Sequence, residues 1–200
     1  MAASSSFDKS DTGVANLALT YLGDSNINNL LEDRREAKVL RRFYTQARDF
    51  LITSKSWTWC GKVETLALVT NDWEDRWTYK YDYGNWLQFR GVLMPGFSLR
   101  WDPDPPPFER LGNAIYTNMA DAKGIVVEPQ ENPATWPAYF IEALAVDLAA
   151  RAVMPLTKNV KLAKEVREQR IAVISTALAA DANTDDNRPE YEAESIAARA

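Results

Sequence analysis

The sequence predicts an α+β fold: a four-helix bundle-like α domain with an inserted antiparallel β-rich module and a flexible C-terminal tail. Three observations carry that expectation. Apolar residues recur at helical spacing in four segments, two before residue 57 and two after residue 134. Between them the helical period disappears, and short alternating runs are separated by Gly, Asn, Asp and Pro. After residue 180 large apolar side chains become scarce and carboxylates accumulate, so little is left to offset the entropy of ordering. The expected division is 10–56 with 135–180 for the α domain, 57–131 for the β module and 181–200 for the arm.

Ser10 is placed to cap a first helix, in which Val14, Leu17, Ala18, Tyr21 and Leu22 form the apolar stripe and Gly23 the stop. Asp33 and Glu36 read as the aspartate form of a capping box that opens a longer second helix. Leu40, Phe43, Tyr44, Ala47, Phe50 and Leu51 make its inner stripe, and Arg34, Arg35, Lys38, Arg41, Arg42 and Arg48 a dense basic face. Expected strands are 62–69, 77–83, 86–93 and 97–101, followed by a hairpin of 108–111 and 114–117 around Gly112 and Asn113. The run DPDPPP, 102–107, cannot continue a ladder and reads as a rigid exposed loop. Thr135 and Pro137 open a third helix with Phe140, Ile141, Leu144, Ala145, Leu148 and Ala152 inward, ended by Pro155. A short link leads to a fourth helix over 160–180, with Ala163, Val166, Val173, Ile174 and Ala177 inward, so the last two helices form an antiparallel hairpin.

Trp77, Tyr79, Tyr81 and Tyr83 alternate with Thr78, Lys80 and Asp82, which predicts four rings on one strand face. Four rings bury about 600 to 1,000 Å². A solitary molecule rarely leaves that much apolar surface open, so the face needs a cover from this chain or another.

Composition narrows the chemistry. The chain has no histidine, which removes the commonest general base, the usual catalytic triads and most zinc sites. One cysteine, Cys60 beside Trp59, excludes an internal disulfide framework and reads as a small packed residue. No phosphate-cradling glycine motif occurs, and no cofactor is expected. The start MAASSSFDK lacks the pattern of a secretory signal, and no apolar run approaches a bilayer's thickness, so the expectation is a soluble chain without membrane insertion. Net charge is −5, of which residues 181–200 contribute −4 through Asp181, Asp185, Asp186, Glu190, Glu192 and Glu194 against Arg188 and Arg199. The remainder is near neutral, which speaks against nucleic acid as the partner of the basic helix face. Salt bridges to a protein partner suit that face better. Asp72, Glu74 and Asp75 lie among tryptophans, as acid pairs of glycosidases do, although a solvated turn accounts for them more simply.

Five segments in order carry a resemblance: ANLALTYLGDSNINNL, AKVLRRFYTQARDFLITSKSWTWC, WTYKYDYGNWLQFRGVL, FERLGNAIYTN and WPAYFIEALAVDLAARAVMPLT. Together, over most of residues 14–157, they resemble the head-to-tail connector (tail adaptor, tail tubular protein A) of short-tailed bacteriophages. The chain departs from that pattern at Gly84, Asn85 and Trp86, where such proteins commonly carry a Pro-x-Asp-like turn. The resemblance implies a non-enzymatic virion protein at the head–tail interface, made in the host cytoplasm. It implies a homo-oligomeric ring, expected to have twelve subunits, that binds a portal protein. The ring would support the tail nozzle and its fibres or spikes, and would extend the channel through which genomic DNA passes without sequence-specific binding. Under it, Arg34, Arg35, Lys38, Arg41, Arg42, Trp73, Trp86 and Trp101 become candidate subunit or partner contacts. Asp185, Asp186, Tyr191 and Ile196 become candidates for a portal-docking arm. The alternative is a carbohydrate-binding or glycan-cleaving phage tail component that uses the Trp73–Glu74 region.

Overall fold

Ser10 accepts a hydrogen bond from the Gly13 amide at 3.0 Å, and Gly23 closes the same helix in the left-handed region, where a side chain would be strained. These two residues bound α1 (Asp11–Leu22). The computed structural model describes residues 8–95 and 105–184, so the expected strand at 97–101 and the first half of DPDPPP, 102–104, lie outside the described residues. After α1 come α2 (Arg35–Ser54), β1 (Gly61–Thr65), β2 (Leu68–Val69), β3 (Tyr79–Asp82) and β4 (Gln88–Leu93). Then follow β5 (Phe108–Leu111), β6 (Ala114–Thr117), β7 (Lys123–Val127), a 3-10 turn (Pro133–Thr135), α3 (Ala138–Thr157) and α4 (Val160–Asn183).

The four helices are organised by α3, which packs against α1, α2 and α4. Arg35 at the start of α2 reaches the Pro155 carbonyl near the end of α3, while Trp57, just past α2, stacks on Tyr139 and meets Phe140 edge-on. The two helices are therefore antiparallel. Helix α4 runs antiparallel to α3 as well, with Arg170 on Asp147 and Asp181 on Tyr139. Buried Asp147 takes a second guanidinium from Arg151 at 2.7 Å, so one carboxylate ties α3 to α4 through two cations. Leu40, Ala47, Leu51, Trp57, Trp136, Phe140, Leu144 and Leu148 fill the main core with the stripes of α1 and α4.

Two antiparallel sheets, β1-β7-β4 and β2-β3-β6-β5, lie at the other end of the helices. Leu66, Tyr81, Tyr83, Val92, Ile115 and Ala122 form a second core between them. The junction with the helices depends on a β-bulge in β4 between Phe89 and Gly91. It turns Arg90 toward α2, where its guanidinium donates to the Trp57 carbonyl at 2.6 Å and approaches Cys60 Sγ at 3.4 Å.

Several expectations need correction. The expected strand 62–69 is two strands in different sheets, and β7, the central strand of the first sheet, falls where none was expected. The strands expected over 77–83 and 86–93 are shorter, beginning at Tyr79 and Gln88. Because β3 begins at Tyr79, strand alternation does not govern Trp77. Its ring packs with Ala114 and Tyr116, the pairing partners of Asp82 and Lys80, on the face opposite Tyr79, Tyr81 and Tyr83. Three rings share a face, not four. The Asp33–Glu36 capping box does not form: Arg34 is the N-cap and makes no side-chain cap bond, because Asp33 is held by Lys38 at 2.6 Å and Glu36 by Arg34 at 3.2 Å. On α2, Phe50 of the expected inner stripe is exposed and Arg48 of the expected basic face is buried against Asp49. Thr135 caps nothing on α3, since Pro137 is the N-cap and Asn132 caps the preceding turn. Pro155 does not end α3. It sits in the last turn, and the helix stops at Lys158 in the left-handed region.

Candidate functional site

The basic face of α2 is largely spent within the chain. Arg34 pairs with Glu32 at 3.8 Å and Glu36 at 3.2 Å and donates to the Asn26 carbonyl at 2.7 Å, clamping the connector before α2. Arg35 is bound to Pro155, and Lys38 to Asp33, whose carboxyl its hydrogen bond holds below the usual range. Arg41 and Arg42 are exposed, and among the described residues no carboxylate lies within ion-pair distance of either. The stripe expected to meet a partner is thus reduced to these two guanidiniums.

The tryptophan candidates are turned inward. Trp73 meets Tyr116 edge-on at 5.6 Å. Trp86 joins Tyr83 at 5.6 Å and Phe89 at 6.2 Å, and Phe89 continues to Phe108 at 5.1 Å. The Gly84–Asn85–Trp86 turn lets this chain form, because Gly84 has φ +68° and a Cβ there would press on the Trp86 ring at 3.2 Å. Trp101, Asp185, Asp186, Tyr191 and Ile196 lie outside the described residues.

Residue 181, assigned to the acidic arm by composition, belongs to α4. Its buried carboxylate accepts from the Thr58 amide at 2.7 Å, the Thr58 hydroxyl at 3.0 Å and the Tyr139 hydroxyl at 2.7 Å. The described chain therefore ends beside the sheet junction, at the far end of the helices from Arg35 and Pro155. Sequence held a usable signal: Ile174, Ala177 and Asp181 continue the inward stripe at helical spacing.

The acidic cluster near the tryptophans is partly spent on contacts within the chain. Asp72 accepts from Lys80 Nζ and from the Tyr116 hydroxyl, each at 2.7 Å, and the Lys80 bond foremost lowers its carboxyl pKa. A general acid needs the opposite shift. Glu74 and Asp75 are exposed on a turn. Burial raises the Cys60 thiol pKa, which removes thiolate character. A depression of about 320 Å³ beside Pro105–Phe108 has Arg90 as its one ionisable lining residue among the described residues. Among the described residues no cluster of three or more Asp, Glu or Cys is placed to hold a metal, and no helix is long and apolar enough to cross a membrane.

Exposed apolar side chains, most of which sequence reasoning passed over, occur along the helices at Phe50 and Ile171 and at both ends. At the helical end, Leu31 and Val160 are each 73% exposed and Met154 is exposed as well, with Arg34, Arg35, Lys158 and Lys161 close to Leu31 or Val160 in sequence. At the sheet end, Val63, Leu68 and Val69 are exposed on one side and Phe108 and Leu111 on the other. None of the five extends a helical stripe, so periodicity gave no reason to single them out. No protein-family model matches the chain, and no curated protein matches it.

Proposed function

We propose that this protein is a non-enzymatic, ring-forming head-to-tail adaptor of a short-tailed phage virion, with its helices as a bundle-like body and its sheets as a module inserted between α2 and α3. One observation carries the reading beyond the resemblance: unpartnered apolar side chains occur at both ends of the chain, and the ends differ chemically. A part that joins two different bodies needs two different docking surfaces. The helical end, which carries exposed Leu31, Met154 and Val160 and the cations Arg34, Arg35, Lys158 and Lys161, suits a portal surface of apolar and acidic character. The sheet end then faces the tail nozzle and its fibres or spikes, and DNA passes through the lumen without base-specific contacts.

The acidic segment after Thr184 starts at the sheet end. Sixteen residues extended span at most about 55 Å, and the 24-residue helix α4 is about 36 Å long. A C-terminal arm that docks on the portal therefore has the length to double back along the helices.

The test is electron microscopy of the full chain mixed with the portal of its own particle. Rings capping the portal are the expected result. A protein that remains free beside the portal, or that binds or hydrolyses glycans with a dependence on Trp73 or Glu74, removes the proposal.

A further inference from the structure

Helices α2 and α4 both pack on α3 and scarcely on each other, so one side of α3 floors a seam between them. Three contacts locate that seam. Arg151 of α3 lies 5.4 Å from the Phe50 ring of α2, Arg170 of α4 bonds Asp147 of α3, and Asp181 of α4 holds Thr58, just past α2. Residues 167, 174 and 181 recur every seven positions and so share a face of α4, which Asp181 turns toward α2. Apolar side chains border the seam: Phe50 is 51% exposed, Met154, seven residues past Asp147, 38%, and Ile171, one turn past Arg167, 69%.

Charge in the seam is unbalanced. Asp147, at its floor, is already bonded by the Nε groups of both Arg151 and Arg170. The Nη groups of those two side chains have no acceptor within hydrogen-bond distance among the described residues. Arg167 is exposed, and among the described residues no carboxylate lies within ion-pair distance of it. The chain continues past Thr184 into a segment of the opposite character. Residues 185–200 carry Asp185, Asp186, Glu190, Glu192 and Glu194 against Arg188 and Arg199, with Tyr191 and Ile196 as large apolar side chains. Thr184 lies about 26 Å along α4 from Arg167, and Glu194 is up to about 34 Å of extended chain beyond Thr184. The segment is long enough to come back.

We propose that residues 185–200 turn back into the seam of their own chain. Their carboxylates meet the unpartnered guanidinium groups of Arg151, Arg167 and Arg170, and Tyr191 and Ile196 cover Phe50, Met154 and Ile171. This occupant is favoured over a separate molecule because the tether sets its local concentration and removes most of the cost of association. A segment held there is withheld from any other partner until that partner displaces it. The contact stands apart from the adaptor reading and requires no portal.

Buried Cys60 is the chain's one cysteine, so introduced thiols report cleanly. In dilute full-length protein, Ala193→Cys or Ala197→Cys is combined either with Ile171→Cys, beside the seam, or with Ala172→Cys, about 100° further round α4. The two α4 positions are one residue apart, so tethering alone would oxidise them equally. An intrachain disulfide, read by peptide mass mapping, is expected about tenfold faster with Ile171→Cys from at least one arm position. That preference should collapse in 1 M salt, where charges are screened beyond about 3 Å. Equal rates from both arm positions overturn the proposal, as does a disulfide formed between chains, which would give the seam to a neighbour's arm. Arg167→Glu changes an exposed side chain and should cut the preference about threefold or more. A preference untouched by it removes the charge match, and the proposal with it.

Discussion

Asp181 illustrates how much one side chain decides here. Its three accepted hydrogen bonds tie the end of α4 to Thr58, at the start of the sheet part, and to Tyr139 on α3. Asp181→Ala leaves the Thr58 amide and the Tyr139 hydroxyl without their partner, at a cost of about 1 to 3 kcal/mol in chemical denaturation. Protection of the last turn of α4 against hydrogen exchange should fall with it. The same contact sets a pH dependence. Burial first, and then the hydrogen bond to Asp181, push the Tyr139 hydroxyl up to about 12. An acid held protonated in the folded state contributes stability in full below its unfolded pKa, about 10, and loses it as pH rises through the folded value. Stability is therefore expected to fall between pH 10 and 12. Tyr139→Phe should make that fall shallower without removing it, because burial also raises Tyr21 and Tyr44. A denaturation series from pH 9 to 12 reads both effects.

Among the elements, β7 holds the first sheet together, and Gly124 is its tightest point. A Cβ there would lie 2.4 Å from the Phe89 ring and 3.1 Å from the Gly91 carbonyl oxygen, beside the bulge that aims Arg90 at Trp57. Gly124→Ala is expected to destabilise by about 1 to 3 kcal/mol through overpacking. Displacement of Phe89 would also disturb Trp86 and Phe108, so tryptophan fluorescence should change along with the melting temperature. An unaltered spectrum and melting curve would show that the ring moves freely. At the same scale, Arg34 and Asp33 show why a helix-start pattern can mislead: Arg34 pairs with Glu32 and Glu36, two residues away on either side, and Asp33 with Lys38, five residues on, and these pairs compete with the cap.

For the whole molecule, the apolar patches at the two ends matter more than any cleft. Leu31 and Val160 are mostly in water, so Leu31→Glu with Val160→Glu should change unfolding free energy by no more than about 0.5 kcal/mol each. If the helical end meets the portal, the same pair should weaken portal binding about tenfold or more, measured by sedimentation or surface binding. Binding unchanged by two buried charges would place the contact elsewhere.

Sequence alone determined the features whose causes lie within a few residues. Ser10 and Gly23 bound α1, the hairpin turns at Gly112 and Asn113, and four apolar stripes give four helices, because caps, turns and periodicity act over three or four positions. Antiparallel pairing of α3 and α4 was legible too, since a two-residue link permits little else. Only the tertiary structure decided which groups are spent internally. Lys38 takes Asp33 away from its cap, Tyr116 draws Trp77 to the other face, Thr58 and Tyr139 claim Asp181, and Tyr83 and Phe89 absorb Trp86. Tyr116, Thr58 and Tyr139 stand far off in the chain, and the nearer competitors, Lys38, Tyr83 and Phe89, act through side-chain contacts that hydrophobic periodicity does not encode.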